Sequence, residues 1–161
     1  MLLAWLTTVV GHQQTFGPSG CPDTDTLRTM FQGRYIRWNP VLELEGARVY
    51  VEAVHDDLEG FRIWLRPPSP GSTIIVRFDS PLFYANSDEG KRLSKVENSE
   101  QMKFPHVFWT VEDSALIAEF HRQSLGVYDD LKIKHFAFLS CGLCIDVLSV
   151  TDPTFLGRSP L

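Results

Sequence analysis

The chain has 161 residues, 43% of them hydrophobic and 22% charged, with a formal net charge of −5. That composition is ordinary for a globular domain and sets aside disordered and membrane-embedded classes, and the length suits one well-buried core. The acid surplus argues against nucleic acid as the main ligand, because neutralising phosphates needs an excess of Lys and Arg. Three cysteines, an odd number, argue against a disulfide-scaffolded secreted domain and for a reducing, cytoplasmic compartment.

The opening MLLAWLTTVV is apolar but short, and it lacks the basic start of a signal peptide. No segment approaches the roughly 20 apolar residues that a membrane span requires. Residues 1–30 read as an arm, Gly/Pro/Ser-rich at TFGPSGCP, followed by a short helix. Asp23 or Thr24 caps that helix, which runs through Leu27, Met30 and Phe31 and closes at Gly33. Residues 31–161 read as a single α+β domain.

Within the domain, Tyr35 to Trp38 suits a short strand. Ala47 to Val54 alternates, with Val49, Val51 and Ala53 on one face, as a strand with one buried side does. His55 to Gly60 has turn chemistry. Phe61 to Leu65 and Thr73 to Phe78 then complete an antiparallel meander. Leu82 to Tyr84 is extended, Lys91 to Val96 is a short helix or turn, and Val107 to Trp109 is a further strand. Thr110 and Asp113 have the spacing of a capping box for a helix at about 112–124, with Leu116, Ile117 and Phe120 on its apolar face. Ile133 to Leu139 and Ile145 to Val150 supply two more strands, and the tail after Pro153 looks irregular. The expected fold is therefore a mainly antiparallel sheet with one helix packed on a face.

Motifs that carry chemistry are sparse. Cys141-Gly-Leu-Cys144 admits three readings: a hairpin turn about Gly142, half of a zinc site completed by Cys21 and His135, or a redox pair. A redox pair of the thioredoxin type opens a helix, whereas this one lies between two strands. The five histidines form no ligand pair at helical spacing, no serine sits in a GxSxG elbow, and Ser114 reads as a first-turn helix residue. Glu112 and Asp113 suit the positive end of a helix dipole. These features leave a small thiol- or zinc-containing enzyme, and a regulatory interaction domain, as alternatives to the reading below.

Ile74-Ile-Val-Arg-Phe-Asp79, Tyr84, Asp88-Glu-Gly90, Val111-Glu-Asp-Ser114, Glu119-Phe-His121, Ser124-Leu-Gly-Val-Tyr128, His135-Phe136 and Cys144-Ile-Asp-Val-Leu-Ser149 carry a likeness over residues 45–153. In these the chain resembles small bacterial immunity proteins of contact-dependent growth-inhibition and other polymorphic toxin systems. It departs from them at Cys141, where the group has a polar turn. The resemblance implies a cytoplasmic, non-catalytic protein that needs no cofactor and binds one cognate toxin domain. A basic toxin such as a nuclease would meet an acidic surface, for which the loop acids Asp56, Asp57, Glu59, Asp88 and Glu89 are the candidates.

Overall fold

The computed structural model describes residues 30–67, 73–88 and 106–158. Among them, strands dominate and pair antiparallel throughout, in two sheets. The strands are β1 (Arg34–Arg37), β2 (Tyr50–Asp57), β3 (Gly60–Arg66), β4 (Thr73–Phe78), β5 (Phe83–Asp88), β6 (Phe108–Glu112), β7 (Lys134–Leu139), β8 (Leu143–Ser149) and β9 (Thr154–Arg158), with helix α1 (Ala115–Gln123) between β6 and β7. One sheet runs β1-β6-β7-β8-β5 and the other β2-β3-β4-β9.

Period-two alternation explains why the sheets stack. Phe61, Ile63 and Leu65 of β3 and Val76 and Phe78 of β4 enter one core with Phe108, Phe136, Phe138, Ile145 and Val147 of the other sheet. Burying such side chains contributes about 1.5–3 kcal/mol each. Rings knit the layers together: Phe78 lies 5.5 Å from Phe136, and Phe61 stacks on Tyr84 at 4.3 Å. On the far face of the five-stranded sheet a second cluster gathers Tyr35, Trp109, Val111 and Ala137.

The β2-β3-β4 meander matches expectation, as do the β7–β8 hairpin and the turn at Gly142, whose φ of +90° suits glycine. Other expectations are corrected. One sheet becomes two, and β9 replaces the irregular tail because Phe155 packs on Trp38 and Phe108 while Thr154 to Arg158 close the edge of β4. A bulge between Val51 and Ala53 breaks the alternation of β2, so Val51 and Val54 join the core while Ala53 pairs opposite Trp64. Asp56 and Asp57 therefore belong to a strand, and the turn shrinks to Leu58 and Glu59. The helix is shorter than expected and is capped by Ser114, whose Oγ accepts from the Ile117 amide at 3.2 Å, so the Thr110–Asp113 box does not form. Leu116 is its one fully buried residue, and Phe120 packs on Tyr128, 5.2 Å away, within the loop that follows. The expected helix at 23–33 falls mostly outside the described residues, and that at 91–96 wholly so.

Candidate functional site

Among the described residues, two clusters of polar side chains bear on function. The first is the tip of the β2–β3 hairpin. Asp57 Oδ1 accepts from the Glu59 amide at 2.9 Å, a side-chain turn that fixes the tip. Arg62, directly after the turn, bonds to both Asp57 and Glu59. Asp56 accepts from the Tyr84 hydroxyl at 3.2 Å, tying this edge to β5 of the other sheet. Burial first, and then the Asp56 charge, push the Tyr84 phenol above its ordinary pKa. Leu58 projects from the turn fully exposed.

The acids foreseen as one surface are thus divided. Asp56, Asp57 and Glu59 share the tip, where Arg62 offsets one of their three charges. Asp88 lies four residues beyond Tyr84 on β5, about 13 Å along the strand at ~3.3 Å per residue. It stands on a strand, not in a loop, and in the other sheet from β2 and β3. Glu89 lies outside the described residues.

The second place escaped the sequence reading. Behind α1, Ser114 Oγ lies 2.7 Å from His135 Nδ1, and His135 Nε2 lies 2.9 Å from Asp146 Oδ1. The His135 and Asp146 side chains are wholly buried. Each is placed by a different element: Ser114 caps α1, His135 is on β7 and Asp146 on the adjacent β8. With Asp146 Oδ1 accepting from Nε2–H, Nδ1 is left to accept from the serine hydroxyl. These three residue types are those of a hydrolytic triad, yet the surroundings oppose nucleophilic use. The hydroxyl is buried and already accepts from Ile117 N. The Ala115 amide, which follows the serine and would face an oxyanion, donates instead to Gln32 O at 2.9 Å. The chain of bonds fastens the helix start to the sheet. A sequence signal existed: Asp146 interrupts the otherwise apolar core of β8, and a buried acid requires a partner.

His135 has both ring nitrogens engaged, so it is not available to complete a zinc site with the Cys141–Cys144 turn. Among the described residues neither cysteine forms a disulfide; Cys144 is buried and Cys141 half-exposed, and Cys21 is outside the described residues.

Next to the triad lies a cleft of about 620 Å³. It arises because the β6–β7 ladder ends at Thr110 and Phe136, after which β6 follows β1 as far as Glu112 and leaves β7 behind. Trp38, Ile117 and Ile133 give it half-buried apolar walls, with Phe136 behind them in the core. Glu112, Asp113, Lys134 and Asp152 add charge.

Among the described residues no helix is long and apolar enough to cross a membrane. Compared with known proteins, the chain matches no family model, no curated protein and no solved structure.

Proposed function

We propose that this chain is an immunity-type protein that neutralises one cognate bacterial toxin domain by stoichiometric binding in the cytoplasm, with no cofactor. The observation that carries this reading is the β2–β3 tip. There a fully exposed Leu58 stands between Asp57 and Glu59, on a turn pinned by Arg62 and by the Asp57 side chain. A rigid anchor loses little entropy on docking, and acids around it favour a basic partner such as a nuclease. The motif likeness to immunity proteins points the same way. Asp88 enters this reading as a separate contact, away from the tip, and Glu89, outside the described residues, as its sequence neighbour.

The test uses the cognate toxin domain, to be sought in the gene that neighbours this one. Arg62 is only 15% exposed, so Asp57 is kept to hold its charge. A tip variant, Asp56→Asn with Leu58→Ala and Glu59→Gln, is compared with Asp88→Asn plus Glu89→Gln. The tip variant should melt like the parent, since exposed charges contribute about 0–1 kcal/mol, but should associate more slowly and with a flatter salt dependence. If it protects cells and binds at the parent rate in low salt, the tip is not the interface.

A further inference from the structure

We infer that the cleft between β6 and β7 is a binding site for a monocation on an apolar body, an amidine, guanidine or primary amine. This inference stands apart from the toxin-binding reading and uses none of the tip residues. The cleft's volume, about 620 Å³, lies within the ~300–1,000 Å³ of small-molecule sites. Its shape is built in, because β6 is committed to β1 on one side while the Ser114–His135–Asp146 chain holds the helix start and β7 on the other. An occupant would therefore meet a preformed wall and not have to order one.

Charge selects the occupant. Of the three lining carboxylates, Glu112 is bonded to Arg34, and Asp152 accepts from Lys134 Nζ at 2.8 Å. Asp113 makes no ion pair among the described residues, and its exposed carboxylate at the rim of the cleft is the one left to meet an incoming cation. Around it, the half-buried side chains of Trp38, Ile117 and Ile133 offer surface to a hydrocarbon or aromatic body, with Phe136, buried in the core, 5.2 Å behind the Trp38 ring. Aromatic lining also suits a cation. An anion would face Asp113, and a neutral apolar molecule would gain nothing from that carboxylate.

The experiment follows the backbone amide resonances of the full chain while benzamidine, neutral benzamide or a blocked arginine (N-acetyl-arginine methylamide) is added. Benzamidine should shift Glu112, Asp113, Ile117 and Ile133 saturably and bind at least about tenfold more tightly than benzamide, the typical weight of one charge-assisted contact. Asp113→Asn, which keeps a residue tolerant of the same backbone angles, should lower benzamidine to the affinity of benzamide. Ile133→Trp should fill the cleft and abolish both. Blocked arginine binding as tightly as benzamidine would mean that the cation arrives on a protein side chain. Binding of benzamidine alone would mean a free amine. Equal affinity for benzamide and benzamidine, full binding by Asp113→Asn, or shifts mapping to the β2–β3 tip would each overturn the assignment.

Discussion

Asp146→Ala tests whether the buried Ser114–His135–Asp146 chain fastens the helix to the sheet. The substitution deletes the acceptor 2.9 Å from His135 Nε2, in a place where neither side chain is exposed. The orphaned N–H loses an acceptor that water cannot replace, which costs about 1–3 kcal/mol, and the vacated space adds a cavity penalty of the same sign. Removing the carboxylate also lifts its own burial penalty, so a net loss of about 2–4 kcal/mol is expected. For a domain of this size each kcal/mol shifts Tm by about 2–4 °C, giving a fall of roughly 4–16 °C. Asp146→Asn retains an acceptor oxygen and should lose about 1 kcal/mol. Thermal melts followed by circular dichroism at neutral pH read the difference. Pairing Asp146→Ala with Ser114→Ala should give less than the sum of the two losses, because both act through one imidazole. A melt of Asp146→Ala within 2 °C of the parent, or equal losses for Ala and Asn, would refute the argument.

Two further outcomes follow from local geometry. A Cβ at Gly33, where φ is +153°, would lie 2.5 Å from Val111 Cγ1 and 2.9 Å from Glu112 O. Gly33→Ala should therefore lower the urea midpoint by the equivalent of more than ~1 kcal/mol, while Gly157→Ala, with nothing within 4 Å, should leave it unchanged. His106 is held below the ordinary histidine pKa mainly by burial, against a smaller opposing pull from its contact with Trp38 O. The unfolded chain then takes up a proton near pH 6.5 before the folded one does. This contribution to stability is complete above pH 6.5 and declines as pH falls through the lower folded value. Stability profiles across pH 5–7 should flatten in His106→Gln.

The sequence made the short-range parts of the fold readable. Alternation in Phe61–Leu65 and Thr73–Phe78, and turn residues between them, are local signals. The division into two sheets was not readable, because it depends on which distant edges meet, and Phe155 on Trp38 leaves no periodic trace. The helix cap was misassigned by four residues because Thr110 and Ser114 are both good cap types, and β6 pairing with β1 through Glu112 keeps Thr110 in the strand. At the hairpin the acids were visible but their neutralisation was not. Arg62 follows them by only a few positions, yet its role depends on the strand reversal at Leu58. The cleft is a gap between β6 and β7, and a gap has no sequence signature.

The strand order also governs how the protein is made. Arg34 pairs with Glu112, and Thr73 pairs with Arg158, so each sheet waits for residues far along the chain. Until residues 154–158 leave the ribosome, the Ile74-Ile-Val76 edge of β4 lacks its neighbour and is open to pairing with another chain. Loop-closure entropy must be met before these contacts reward it, which places folding in the millisecond-to-second range of non-local β topologies. The β2-β3-β4 meander can form early, but its final strand arrives late. Slowed translation around residues 80–150 should therefore raise the aggregated fraction without changing the stability of the finished protein.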